Sequence, residues 1–225
     1  MKKLVIGRNS VITYRTYMKI ISIIGAKGGS GKSTLSLILA SAFSKKGKVA
    51  LLDCDIQLTC VSAKKINPDL PYEVVSTPHL EEIVSEGDRL ESEGVDWMII
   101  DTNPRSFLED SKIISEIVKI SDLCLLPCRP APRDVRATLE LSEQIASKKA
   151  NAKIVWNFVQ PRVNAHKESM KQAPKLLGIQ PLKNFIKQRT CYQDVFDEPP
   201  LPLWNIDARN EIKKITKEIV KQLNG

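Results

Sequence analysis

Short apolar runs and helix-length amphipathic stretches alternate along this chain. The runs KIISII (19–24), VALLD (49–53), EVVST (73–77), WMIID (97–101), DLCLLP (122–127) and KIVWNFV (153–159) are flanked by polar residues or glycine. Apolar runs of that length predict strands buried on both faces. Between them, KSTLSLILASAFSKKG (32–47) carries Leu35, Leu39, Ala42 and Phe43 at helical spacing and Gly47 as a stop. HLEEIVSEG (79–87), FLEDSKIISEIVKIS (107–121), PRDVRATLELSEQIASKK (132–149) and NAHKESMKQAPKLLG (164–178) also read as helices, with Pro174 ending or kinking the last. The Pro-rich DEPPLPLW (197–204) reads as a loop before a final helix over 206–223. The alternation predicts an α/β fold, a mostly parallel twisted sheet with helices on both faces.

No linker-like stretch, repeat or low-complexity segment divides residues 18–225, so they read as a single domain. Residues 1–17 carry four basic residues and no acid, and read as an N-terminal tail or extension. They lack the apolar region of a secretory signal, and no stretch reaches the length of a membrane-spanning helix. The five cysteines match no common zinc spacing, so packed, reduced thiols and a cytoplasmic location are expected.

The net charge of +8 is concentrated: residues 129–189 hold 13 Lys/Arg against 4 Asp/Glu. Such an excess fits an anionic partner, nucleic acid or a membrane surface, or a basic face turned to solvent.

GAKGGSGKS (25–33) fits G-x-x-x-x-G-K-[ST] between a strand and a helix, the context of a phosphate-binding P-loop. The fold expected is thus a P-loop NTPase. Gly28, Gly29, Ser30 and Gly31 curl the backbone so that N–H groups face phosphate oxygens. Lys32 places a charge on the β and γ phosphates, Ser33 offers its hydroxyl to Mg²⁺, and Thr34 follows at the start of the helix. ATP and Mg²⁺ are the expected ligands. Asp101 ends the run WMIID and is the carboxylate expected to serve Mg²⁺, through water. VALLDCD ends in Asp53 and Asp55, one residue apart and on one face at the carboxyl edge of the sheet. Asp55 is placed to orient a water toward the γ-phosphate; Asp53 is a structural or outer-shell group. Lys27 stands five residues before Lys32, where its side chain points away from its own nucleotide. It is either a surface lysine or a charge supplied to a nucleotide held by a second subunit.

KGGSGKST (27–34) resembles the deviant Walker A motif of the ParA/MinD superfamily, whose signature is that first lysine. DCDIQ resembles the family's D-x-D-P-Q, with Ile56 for proline, and IIDTNP its D-T-P-P, with Asn103 for proline. LLPCRPAPRDVRA and the segment from FIKQRT onward resemble further family stretches, so the likeness spans residues 18–223. It implies an ATPase that closes as a dimer around ATP, with Lys27, Lys32 and Asp55 catalytic and Asn157 at the adenine-reading position.

Fold alone does not settle function. The first reading is a DNA-segregation ATPase of the small ParA type, associated with the nucleoid. Its ATP dimer binds DNA non-specifically, and a ParB-type partner on the cargo triggers hydrolysis. Lys183, Lys187 and Arg189 are the candidate DNA contacts, with Arg162 and Lys167 as further ones. The second is a MinD-like membrane-surface ATPase, in which the basic final helix lays Ile212, Ile215, Ile219 and Leu223 on lipid. Against it stands packing of that stripe on the core. Positioning of a protein cargo by the same cycle is a variant of the first. An iron–sulfur carrier or a P-loop ligase of this fold is a third reading, disfavoured by the cysteine positions and by Lys27.

Overall fold

A computed structural model describes residues 2–6, 12–103, 111–192 and 205–224. Its strands are β1 (Lys2–Ile6), β2 (Ile12–Thr16), β3 (Lys19–Ile23), β4 (Val49–Asp53), β5 (Glu73–Ser76), β6 (Trp97–Asp101), β7 (Leu123–Cys128) and β8 (Ala152–Trp156). Its helices are α1 (Lys32–Phe43), α2 (Thr59–Ile66), α3 (Leu80–Ser92), α4 (Ser111–Ile120), α5 (Pro132–Ser147), α6 (Asn164–Leu177) and α7 (Ile206–Asn224). Six strands form one parallel sheet in the order β5-β4-β6-β3-β7-β8.

Side chains alternate across the sheet and divide the core in two. Ile21, Ile23, Leu51, Ile99, Leu125 and Val155 face a layer built by α1, α2 and α7. Leu52, Ile100, Leu126, Ile154 and Trp156 face a layer built by α3, α4, α5 and α6. Both faces are covered, which is why the strands read as continuous apolar runs. The successive α1 residues Leu37, Ile38, Leu39 and Ala40 are all buried, because the helix lies between the sheet and α7. The apolar stripe of α7, Ile212, Ile215 and Ile219, is buried against that layer, and Leu223 packs on it. The face that a lipid surface would need is therefore inside the protein.

Two elements depart from the sequence expectation. Residues 2–6 and 12–16 pair as an antiparallel two-stranded sheet, from Lys2 opposite Thr16 to Ile6 opposite Ile12. The runs LVI and ITY, rich in β-branched and aromatic residues around Gly7 and Asn9, carry that signal. Helix α2 was not expected at all. It has eight residues, only Cys60 and Ala63 buried, and no capping side chain at its own N-terminus. α6 runs through Pro174 to Leu177 and ends at Gly178, whose φ of 66° is the usual left-handed stop. The expected loop at 197–204 and the first residues of the helix expected from 107 lie outside the described residues.

Candidate functional site

Strand register builds the site. Across β3 and β6, Ile23 sits opposite Asp101, and across β4 and β6, Asp53 sits opposite Asp101. The three strands thus end level, and the glycine loop leaves β3 beside two carboxylates at the sheet's carboxyl edge. α1 begins at Lys32, directly after Gly31 at φ 87°.

The outer curve of the loop is held from behind. Asn157 donates from Nδ2 to the Ser30 carbonyl at 3.1 Å, and its Oδ1 accepts from the Phe158 N–H at 3.0 Å. Arg129 donates from Nη2 to the Gly29 carbonyl at 2.7 Å and lays its guanidinium 4.2 Å from the Phe158 ring centre. Phe158 adopts a left-handed φ of 54°, unusual for a bulky residue, and its ring closes the space behind Gly31.

In front of the loop lies a cleft of about 440 Å³. Gly28, Gly29, Gly31, Lys32, Ser33 and Thr34 line one side; Asp55, Ile56, Gln57, Thr59 and Asn103 line the other. At Gly28 and Gly29 a Cβ would meet nothing within 4 Å and would project into the open cradle. The buried Lys32 ammonium, the hydroxyls of Ser33, Thr34 and Thr59 and the Asp55 carboxylate are a donor set that fits a polyphosphate with a divalent cation. Ser30 and Asn157 are not among the cleft residues. The Ser30 hydroxyl is buried with no hydrogen-bond partner among the described residues, and both ends of the Asn157 amide are bonded to backbone. Here Asn157 braces the loop.

Lys32 is 5% exposed, and Nζ donates to the Lys27 carbonyl at 3.2 Å. Burial pulls its pKa below the ordinary value, opposed by the charges of Asp101 and Asp55. Asp55 accepts from the Gln57 N–H at 3.0 Å, which holds its carboxylate in the turn that edges the cleft.

Asp101 is wholly buried. Its Oδ1 accepts from the Ser36 hydroxyl at 3.1 Å and its Oδ2 from the Cys60 thiol at 3.4 Å. Burial pushes its pKa up from 3.8 to about 6, opposed by the Ser33 hydroxyl and the Lys32 charge and reinforced by Asp53. The folded protein therefore keeps this proton where the unfolded chain has lost it. Its contribution to stability is full below pH 3.8 and is lost as pH rises through about 6. Asp101→Asn removes that dependence. From pH 4.5 to 7.5, without nucleotide or Mg²⁺, the stability difference shifts toward the variant by on the order of 2–3 kcal/mol, measured by urea unfolding.

Asp53 is bonded to backbone through both oxygens. Its Oδ2 accepts the N–H groups of Cys60 at 2.8 Å and Val61 at 3.0 Å, and its Oδ1 that of Asp55 at 3.2 Å. It caps α2 from a neighbouring strand, which is how that helix starts without a cap of its own. Asp53, Cys60 and Asp101 offer ligand atoms within 4.8 Å of one another, but both Asp53 oxygens are bonded to backbone. Asp53→Ala leaves these amides without their acceptor and lowers unfolding stability by roughly 3 kcal/mol, read as a fall in the urea midpoint.

Lys27 turns away from the cleft. Its Nζ lies 2.7 Å from Oδ1 of Asp134 in the first turn of α5, as an ion pair rather than an aligned hydrogen bond. The signature lysine thus stands at the mouth of the loop, 36% exposed, outside the cleft lining. All five cysteines are buried free thiols, and burial pushes Cys124 and Cys128 up to about 11.

Two of the three candidate DNA contacts are already engaged. Glu211 of α7 takes Arg189 at 2.6 Å and Lys187 at 3.3 Å, and Arg189 also lies 3.8 Å from Asp207. Burial pushes Glu211 up, but Arg189 and the Lys187 N–H outweigh it and leave the carboxyl below its ordinary range. Lys183 is exposed; its backbone N–H donates to Glu218 at 2.6 Å, and its ammonium makes no ion pair among the described residues. Arg162 and Lys167 make no ion pair among the described residues. Sequence reading missed Arg129, Phe158, Ser36 and Cys60. Each acts through packing between elements far apart in the chain, which no local motif reports.

A parallel sheet, a glycine loop feeding a buried helix and paired carboxylates at the strand ends define a P-loop nucleotide hydrolase. The profile of the CobQ/CobB/MinD/ParA nucleotide binding domain matches residues 21–198, so the chain belongs to that family and is a ParA/MinD-type P-loop ATPase. It is 25% identical over 215 residues to maintenance of carboxysome distribution protein A of Halothiobacillus neapolitanus, covering 89% of this chain and 95% of that protein. The fold matches MinD of Aquifex aeolicus in its complex with MinC at a TM-score of 0.74 and 16% identity, over 90% of this chain and 96% of that one. It matches a variant of Cyanothece McdA in complex with ATP at 0.68 and 16% identity, over 93% and 97%. No described helix is long and apolar enough to cross a membrane.

Proposed function

We propose that this chain is a positioning ATPase whose two copies close face to face around ATP, bind DNA without sequence preference, and let go when ATP is hydrolysed. The observation that carries the reading is Lys27. It stands at the loop entrance beside Asp134, outside its own cleft, where a facing subunit's nucleotide can receive it.

In each site Lys32 holds the β and γ phosphates, Asp55 orients the attacking water, and Lys27 of the other copy neutralises charge on the transferring group. Ser33 and Asp101 would hold Mg²⁺, which supplies charge neutralisation when bound. The exposed Ile56, at 60%, sits at the cleft rim where a facing copy would cover it. The cargo is DNA, or a protein assembly as for the carboxysome-distribution relative, carried by a ParB-like adaptor in the cytoplasm over the nucleoid.

The test is duplex DNA binding at fixed salt with ATP and Mg²⁺, with ADP, or without nucleotide, for the natural protein and Lys27→Ala. Binding that requires ATP and disappears in the variant is expected. Binding indifferent to nucleotide, or none, rejects the DNA step.

A further inference from the structure

A groove of about 660 Å³ runs between the end of α1 and the first half of α7. It lies at the opposite end of α1 from the phosphate loop, about 18 Å away for a twelve-residue helix. Five cations line it: Lys45 and Lys46 just past α1, and Arg209, Lys213 and Lys217 at four-residue intervals along α7. No carboxylate is among its described lining residues, and none of the five cations makes an ion pair among the described residues.

The imbalance arises because α7 separates its charges. Its three acids point to the other flank. Asp207 and Glu211 meet Arg189, and Glu218 accepts the N–H groups of Lys183 at 2.6 Å and Asn184 at 3.1 Å. Among the described residues, every charged side chain on the groove side is a cation.

The groove is not merely basic. Ala42 and Ile212 form an apolar floor, and Ile206 stands at its lip 65% exposed, the most exposed large apolar side chain among the described residues. Duplex DNA brings phosphates to such a place but no apolar side chain, and a duplex roughly 20 Å across does not enter a cleft of this size. An amphipathic protein segment with an acidic face brings both chemistries.

We propose that the α1–α7 groove docks an acidic, amphipathic segment of a partner protein, its apolar side chains on Ala42, Ile206 and Ile212 and its carboxylates on the surrounding lysines and Arg209. The groove lies at the far end of α1 from the proposed subunit contact, so it remains open in the closed dimer. The proposal does not depend on DNA binding.

The test is fluorescence anisotropy with the full chain and a labelled peptide of about 16 residues, Leu at helical i, i+3, i+4 spacing and Glu elsewhere. Parallel arms use a polyglutamate peptide of equal length, a short DNA duplex and phosphatidylglycerol vesicles. The Leu/Glu peptide is expected to bind about tenfold more tightly than polyglutamate. Lys213→Glu with Lys217→Glu should weaken it about tenfold or more, and Ile206→Asp about fivefold. Lys175→Glu, on α6 across the sheet, should leave peptide binding unchanged. ATP turnover without peptide stays at the natural rate in all these variants, which reports that they fold. Failure of the peptide to bind the natural protein overturns the proposal, as does equal binding of polyglutamate. So does a result in which the groove variants lose duplex or vesicle binding and leave peptide binding intact.

Discussion

Lys27→Ala binds ATP as the natural protein does and hydrolyses it roughly a thousandfold more slowly, the size of effect that a charge supplied by a second subunit has on phosphoryl transfer. Binding survives because the cleft is lined without the Lys27 side chain. The Lys32 ammonium donates to the Lys27 backbone carbonyl, which alanine retains. Lys32→Ala, by contrast, removes the buried ammonium inside the cleft and loses nucleotide affinity itself.

Mixing two inactive variants decides whether Lys27 acts across subunits. In a heterodimer of Lys27→Ala with Asp55→Ala, one of the two sites has its own Asp55 and receives Lys27 from the other copy. Equimolar mixing then restores about one quarter of natural activity, half the dimers being mixed and half their sites complete. If both residues act within one chain, no site is complete and the mixture stays inactive. Steady-state phosphate release over a mixing series separates the outcomes.

Gly31→Ala should lower ATP affinity on the order of a hundredfold, measured by nucleotide titration. The position holds φ 87°, and a Cβ there would stand 2.2 Å from Asn157 Nδ2 and 2.9 Å from Phe158 Cε2. Neither neighbour yields easily. Asn157 is tied to the Ser30 carbonyl, and Phe158 lies under Arg129. The loop must shift, and the amides aimed at phosphate shift with it. Gly87→Ala, within α3 and outside the cleft lining, is the control: its Cβ would stand 3.8 Å from Met98 Cε, its φ is not in the left-handed region, and affinity stays within a few-fold.

The parts of the fold legible from sequence are those whose cause is local. Six apolar runs became six parallel strands because both sheet faces are covered, and the loop before α1 announces itself by glycine spacing. α2 was not legible because its cap is Asp53, on β4, and its own eight residues carry no apolar stripe. Which of the charges are free was not legible for a related reason. Counting by segment drew attention to residues 129–189, yet Glu211, far along the chain, neutralises Lys187 and Arg189 there. The groove cations, without ion pairs among the described residues, come instead from residues 1–128, which hold 16 Lys/Arg and 16 Asp/Glu, and residues 190–225, which hold 5 and 6. Asn157 lay at the expected strand end, but its bonds to the loop appear only once β8 is placed beside the β3 turn.

The two oxygens of Asp53 have a consequence for the timing of hydrolysis. One holds the N–H of Asp55 and the other holds the start of α2, so residues 55–61 form a short span pinned at both ends by a single carboxylate. The acid proposed to orient the water and the first turn of α2 are therefore tied to the same carboxylate. On the proposed role of Asp55, a displacement of the first turn of α2 is expected to carry to the attacking water and slow the chemical step.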